Sequence, residues 1–111
     1  GEIPERHGAM IVYNVTVSID ADAHEEWLNW MKTEHIPDVM ATGLFLDNRI
    51  CRVLTDDPME FSFAIQYTCA DMATYEIYKA VHAPAMQRKH SERYDGKFAA
   101  FRTLLEVVHT A

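Results

Sequence analysis

The stretch MIVYNVTVSI, residues 10–19, alternates β-branched and aromatic side chains with polar ones. Alternation of this kind predicts a β-strand that has one face in a protein core. The positions predicted to face the core are Ile11, Tyr13, Val15 and Val17. This strand opens the domain, and the elements that follow it decide how a sheet forms around it.

A helix is predicted directly after this strand, with Asp20 or Asp22 as its N-cap. Proline has no backbone N–H and disfavours the α conformation at the residue before it. We therefore predict that this helix ends near His35 and that Pro37 begins a separate short turn. Gly43 is expected to close that turn, because glycine readily adopts the left-handed conformation at helix ends.

The remaining elements are two strands, a helix and a last strand. Residues 44–55 and 59–69 read as strands joined by a turn rich in Asp and Pro, which predicts an antiparallel hairpin. Asp71 is predicted to cap a second helix, and Pro84 is expected to kink or break it. Residues 99–110 alternate again and are predicted to form the last strand.

The order βαββαβ predicts an α+β, ferredoxin-like fold: a four-stranded antiparallel sheet with both helices on one face and strands one and three in the middle. The second face is predicted to be partly apolar, with Val12, Phe45, Cys51, Val53, Ala64, Leu104 and Val108 on it. Arg49 and Arg102 are expected to form ion pairs on that face or at its rim. Because this face is too apolar to lie in water, we predict a homodimer packed through the sheet faces.

Length and composition restrict the function classes. A chain of 111 residues fits one domain, predicted over residues 10–111, and residues 1–9 read as a flexible extension or a cloning remnant. The net charge of −7 argues against nucleic-acid binding, and no apolar run is long enough for a membrane span. Cys51 and Cys69 are predicted to be buried thiols rather than a disulfide, which favours a cytoplasmic protein.

Three segments carry a resemblance to a known family. They are M-I-V-Y-N-V-T-V (residues 10–17), W-L-x-W-M-K-x-x-H-I-P-D-V-M-A-T-G-L-F (residues 27–45) and R-Y-x-G-K-F-x-A-F-R-T-L-L-E-V-V (residues 93–108). Over residues 10–108 the chain resembles a bacterial family of unknown function within the dimeric α/β-barrel (ferredoxin-like) superfamily. The resemblance implies the fold and dimerisation, and relatives often place a ligand pocket between sheet and helices. It assigns no catalytic residue, because no catalytic motif of the superfamily's enzymes can be laid on this chain.

His35 is the sharpest candidate for a functional side chain. A histidine at a helix end that faces a sheet could orient a substrate or transfer a proton. It could equally donate to the carbonyl groups left free at the end of the helix. Trp27 and Met31 share its stripe at helical spacing, which is typical of core residues.

Four tyrosines are predicted to converge between sheet and helices. Tyr13 and Tyr67 point from the central strands, and Tyr75 and Tyr78 point back from the second helix. Their hydroxyl groups could bind a ligand or bond one another. His82 lies on the same helix, two turns from His90, and such a pair cannot chelate a metal ion without a third ligand.

These residues predict an uncharacterised small homodimer with a small-molecule pocket, no metal site and no cofactor. The predicted pocket residues are His35, Tyr13, Tyr67, Trp27, Met31, Tyr75, Tyr78 and His82. One alternative is a non-enzymatic structural or interaction module. Another is a haem-binding or cofactor-free monooxygenase-like enzyme, since one axial histidine can hold haem without any motif. Whether the protein is an enzyme stays open at this point.

Overall fold

The computed structural model describes residues 8–111, so most of the predicted extension over residues 1–9 lies outside the described residues. The elements, in chain order, are β1 (Ile11–Ile19), α1 (His24–Trp30), a π-helical turn (Met31–His35), α2 (Ile36–Met40), β2 (Asp47–Arg52), β3 (Phe61–Cys69), α3 (Met72–Val81), α4 (Ala83–Arg93) and β4 (Phe98–Glu106). The predicted βαββαβ order is confirmed.

The four strands form one antiparallel sheet in the order β2-β3-β1-β4, with β1 and β3 in the middle as predicted. In this sheet Val15 lies between Ile65 of β3 and Arg102 of β4. Residues directly opposite each other in antiparallel strands place their side chains on the same face. The fold is ferredoxin-like, and its register decides which side chains meet the helices.

We call the face that packs against the helices the covered face; Tyr13, Val15, Ile65 and Tyr67 lie on it. Its core includes Trp27, which is completely buried. The indole ring of Trp27 packs 5.1 Å from the ring of Phe63, measured between centroids. The helices and the covered face therefore enclose one aromatic-rich core.

The other face, which we call the open face, carries Val12, Thr16, Ala64 and Phe101. The prediction was wrong for Leu104 and Arg102, which pair with Tyr13 and Val15 and so belong to the covered face. Apolar residues occupy both sets of alternating positions in β4, so alternation alone does not reveal which set faces the helices.

Three other residues predicted on the open face differ from expectation in position or exposure. Phe45 is buried beside Tyr67 because it precedes β2, where the chain still passes under the helices. Val108 lies beyond the end of β4 and is exposed. Cys51 lies on the open face, opposite Ala64, but it is exposed rather than buried. Both Cys51 and the buried Cys69 are free thiols, in agreement with the predicted lack of a disulfide.

The first helix does not end near His35. Helical backbone runs from α1 through the π-helical turn into α2, and Ile36 has α geometry although Pro37 follows it. The N–H of Ile36 donates to the carbonyl of Met31, five residues earlier. This wider turn displaces the carbonyl groups that a proline ring would otherwise strike, so the helix accommodates Pro37 without a break.

The predicted helix signals elsewhere have mixed outcomes. Ala23, not Asp20 or Asp22, is the N-cap of α1, and no side chain caps it. Asp71 caps α3 as predicted, since its carboxylate accepts from the N–H of Thr74 at 2.8 Å. Helix α3 ends at Val81 and α4 begins at Ala83 with Pro84 in its first turn, which confirms the predicted break. Gly43 has a φ of 77° after the end of α2, which confirms its role in closing that helix.

Candidate functional site

A cavity of about 50 Å³ lies between the covered face and the helices. One water molecule needs roughly 10–15 Å³ of such space, so the cavity has room for more than one. Its apolar lining consists of Val15, Val17, Met31, Val39, Ile65, Met86, Phe98 and Ala100. Its polar lining consists of Tyr13, His35, Tyr67, Tyr78, Gln87, His90, Ser91 and Arg102.

The π-helical turn places His35 at this cavity. The His35 ring stacks on Trp30, five residues earlier, with ring centroids 4.9 Å apart. Its Nδ1 atom is buried and has no hydrogen-bond partner in the described chain. Burial lowers the pKa of His35 to about 4, against the opposing charge of Asp38. The ring is therefore neutral near pH 7 and leaves one nitrogen unsatisfied.

His90, on α4, is the second histidine of the cavity. The indole N–H of Trp27 donates to its Nε2 atom at 2.9 Å. A nitrogen that accepts a hydrogen bond carries no proton, so the neutral His90 ring is protonated at Nδ1. Burial, and then the neighbouring His35 and Arg102, lower the pKa of His90 to about 4. The two histidine ring centroids are 5.9 Å apart.

Tyrosines close the cavity on the side of the sheet and α3. The Arg102 Nε–H donates to the hydroxyl oxygen of Tyr13 at 3.1 Å. No hydrogen bond within residues 8–111 involves the hydroxyl of Tyr67 or of Tyr78. Burial, followed by the neighbouring tyrosines, raises the pKa of Tyr67 and of Tyr78 above its ordinary value. Both side chains therefore remain neutral donors and acceptors.

The structure brings five of the eight predicted pocket residues together at the cavity: Tyr13, Met31, His35, Tyr67 and Tyr78. The other three do not line the cavity, but each contacts a residue that does. Trp27 supports His90 through the indole hydrogen bond, and Tyr75 packs 5.3 Å from the ring of Tyr13. His82 stacks on Tyr78 with centroids 6.1 Å apart.

Sequence reasoning missed His90 and Arg102 as cavity residues. Ala83, Met86, His90 and Tyr94 recur at helical spacing on α4, and this stripe could have placed His90 inside. For Arg102 the usable signal was Phe98: a strand that starts there puts residues 98, 100 and 102 on one face. Both signals are local, and for Arg102 the pairing of β4 with β1 then fixes which face of the sheet it occupies.

Polar contacts tie the first helix to α4 beside the cavity. Arg93 donates to one carboxylate oxygen of Glu26 at 2.6 Å, and the hydroxyl of Tyr94 donates to the other at 2.8 Å. Hydrogen bonds from Arg93 and then Tyr94 lower the pKa of Glu26. Lys89 lies 4.0 Å from the carboxylate of Asp38 and adds a weaker link. These contacts hold the helices that carry His35 and His90 against each other.

Metal ions and haem each need features that this cavity does not offer. Among residues 8–111, no three His, Cys, Asp or Glu side chains are grouped so that they could hold a metal ion. Haem does not fit the cavity, because sites for even drug-sized ligands occupy about 300–1,000 Å³, far more than the free volume here. His82 does not line the cavity. In the described part of the chain, no helix has the length and apolar character required to cross a membrane.

Solved structures share this fold at low sequence identity. A dimeric ferredoxin-like protein from an uncultured marine organism is 9% identical, with a TM-score of 0.69 over 92% of this chain and 97% of that one. A candidate antibiotic biosynthesis monooxygenase from Bacillus cereus is 8% identical, with a TM-score of 0.68 over 94% and 98%. An EthD-like protein from Ralstonia eutropha JMP134 is 16% identical, with a TM-score of 0.67 over 93% and 96%. Identities this low show a shared fold and nothing further.

Sequence comparison is more specific. No curated protein sequence is significantly similar to this chain. A domain of unknown function (DUF4286) matches residues 10–108, which include every strand and helix of the fold. The chain therefore belongs to the DUF4286 family of domains of unknown function.

Proposed function

We propose that this protein binds a small, mainly apolar molecule in the cavity between the covered face and the helices. The observation that carries the proposal is the buried Nδ1 of His35, which has no partner in the described chain and belongs to a ring that lines the cavity. A buried polar atom without a hydrogen bond costs about 1–3 kcal/mol. A ligand that supplied this bond would recover that free energy, so the cavity favours a molecule with a polar group.

The chemistry of the cavity supports the same proposal. Apolar side chains form half of the lining, and the uncharged polar groups of His35, His90, Tyr67 and Tyr78 point to the same space. Ligand sites typically combine apolar walls with a few converging polar groups. The free volume limits the occupant to a molecule no larger than about a single ring or a short chain.

The monooxygenase-like alternative has one specific support. A neutral histidine with a free ring nitrogen can accept a proton from a bound substrate, and His35, whose buried Nδ1 has no partner in the described chain, lines the cavity. One structural neighbour is itself a candidate antibiotic biosynthesis monooxygenase. This second candidate function needs the same ligand site, so evidence for binding comes first.

We also propose that two copies pair through their open faces. Phe101 and Leu105, which are 62% and 44% exposed, lie next to Thr16 and Val12 on this face. Burying them against a second copy would remove apolar surface from water, and some neighbours with this fold are dimeric ferredoxin-like proteins.

The free thiols fit a reducing compartment, so we propose a cytoplasmic protein. We also propose that residues 10–111 form a single domain.

Ligand-induced stabilisation tests the cavity proposal. We would measure thermal unfolding with phenol, benzyl alcohol, benzamide and benzoate, and we expect at least one to raise the midpoint saturably by a few degrees. Ala100→Leu should abolish this effect, because Ala100 lines the cavity and a larger side chain would fill it. Ala80→Leu, the same change at an exposed position on α3, is the matched control. If no probe stabilises the protein, or if Ala100→Leu responds like the control, the proposal is wrong.

A further inference from the structure

Arg102 distinguishes this cavity from a purely apolar one. Among residues 8–111, the cavity lining includes Arg102 but no Asp, Glu or Lys side chain. The whole chain has a formal net charge of −7. The cavity lining therefore carries a positive charge and no carboxylate, whereas the chain as a whole is negative.

The hydrogen bonds of Arg102 leave most of its donors available. A guanidinium group carries five N–H donors in a planar fork. Within residues 8–111, Arg102 uses its Nε–H to bond the hydroxyl of Tyr13, and no carboxylate pairs with its terminal amino groups. The Tyr13 hydroxyl accepts that bond, so its own proton is free to be donated elsewhere. Arg102 and Tyr13 thus present a joint set of donors beside the cavity.

Arg102 also lies where a ligand can reach it from solvent. This residue is exposed, whereas Tyr13 and Ile65, deeper on the same face, are buried. It belongs to the covered face, opposite Val15, so pairing of two copies through their open faces would leave it uncovered. The guanidinium group therefore stands at the mouth of the cavity, with the apolar walls behind it.

We propose that the cavity takes a small carboxylate whose apolar body is no larger than a single ring, and that Arg102 binds its carboxylate group. This inference rests on the proposed function, because it names the class of molecule that the same cavity would take. The fork of the guanidinium matches the two oxygens of a carboxylate. The apolar body would lie between Val15, Ile65 and Met86, and a polar substituent on it would supply the bond that the Nδ1 of His35 lacks.

Benzoate and benzamide test this inference as a matched pair, because they share a ring and a planar head group and differ in charge. Binding would be followed by nuclear magnetic resonance on the indole N–H of Trp27, which is bonded to His90 at the cavity. We expect benzoate to bind at least about tenfold more tightly than benzamide, as charge-assisted hydrogen bonds require. Arg102→Gln should weaken benzoate binding by about tenfold or more and weaken benzamide binding much less, because the amide loses only a neutral acceptor's bond. The benzoate affinity of Arg102→Lys should lie between those of the wild type and Arg102→Gln.

Arg49→Gln is the matched control, since Arg49 is an exposed arginine on the open face, bonded to Gln66. It should change neither affinity. Equal affinity for the two probes, or an unchanged benzoate affinity in Arg102→Gln, would overturn the inference and leave the cavity proposal standing. The inference is also overturned if phenol or benzyl alcohol binds and benzoate does not. If none of the four probes binds, the proposed function fails as well.

Discussion

The two faces of the sheet are incomplete in different ways. On the covered face, the helices bury most side chains but leave the Nδ1 of His35 without a partner beside a cavity. On the open face, apolar side chains such as Phe101 remain exposed in the described chain. The covered face lacks a hydrogen-bond partner for one buried nitrogen. The open face lacks an apolar surface to cover its exposed side chains. A small molecule suits the first and a second copy of the chain suits the second.

The largest effect is expected from removing the main core ring of the covered face. Trp27→Ala should lower the free energy of unfolding by about 3–5 kcal/mol, because it leaves a large void and removes the donor to His90. Urea denaturation would measure this loss. Trp27→Phe, which keeps most of the ring volume, should cost less. A loss well under about 1 kcal/mol for Trp27→Ala would mean that this face is not packed as described.

A charge introduced on the open face should change the oligomeric state of the protein. Phe101→Glu should convert a dimer into monomers, because it would place an unpaired charge in an apolar interface. Leu104→Glu is the matched control on the same strand, since Leu104 faces the other way, opposite Tyr13. Sedimentation at micromolar concentration would distinguish the two variants. A wild-type monomer, or two variants that dissociate equally, would contradict pairing through the open face.

Stability should fall on acidification because two neutral histidines are buried between the covered face and the helices. Burial holds the pKa of His35 and of His90 at about 4 in the folded protein, below the ordinary value of 6.5. Between about pH 4 and pH 6.5, these two histidines therefore bind more protons in the unfolded chain than in the folded protein. The stabilisation is therefore complete above about pH 6.5 and is lost towards pH 4, by on the order of 2–3 kcal/mol for each histidine.

Unfolding in urea at pH 7.5 and at pH 5 would measure this dependence. His35→Gln should reduce the difference between the two pH values, because it removes one titrating ring. Around His35 the nearby charges are Asp38 and Lys89, and neither changes in this variant. His109→Gln, at an exposed position near the C-terminus, should keep the wild-type difference. An unchanged difference in His35→Gln would show that His35 is charged or solvated in the folded state.

The smallest effect on stability is expected from Pro37→Ala. An alanine restores a backbone donor, so the chain could replace the π-helical turn with regular α-helix at a net change within about 1 kcal/mol. That change would turn His35 away from the cavity and expose its ring. The pKa of His35, followed by nuclear magnetic resonance, should then rise from about 4 towards its ordinary value. An unchanged pKa would show that packing, not Pro37, maintains the turn.

A comparison of β1 with β4 shows how much of the fold the sequence could predict. The alternation in β1 identified its covered face, because polar and apolar side chains there are well separated. In β4 they are mixed, so alternation alone does not show that Arg102 and Leu104 face the helices; their pairing with Val15 and Tyr13 does.

The cavity was only partly predictable for a related reason. His35 could be proposed from its position at a predicted helix end, but Pro37 indicates only a break or a kink, not the π-helical turn that directs the ring inward. The partnership of His90 with Trp27 joins residues that are 63 positions apart, and no local pattern reveals such a contact.

The most direct test of the cavity is the nitrogen spectrum of the His35 ring at pH 7, recorded with and without benzamide and benzoate. We predict a neutral ring whose Nδ1 signal shifts saturably as one of these probes is added. The same signal should not respond in Ala100→Leu, where the cavity is filled. A ring that is already protonated, or an Nδ1 signal that no probe shifts, would contradict a ligand site at His35.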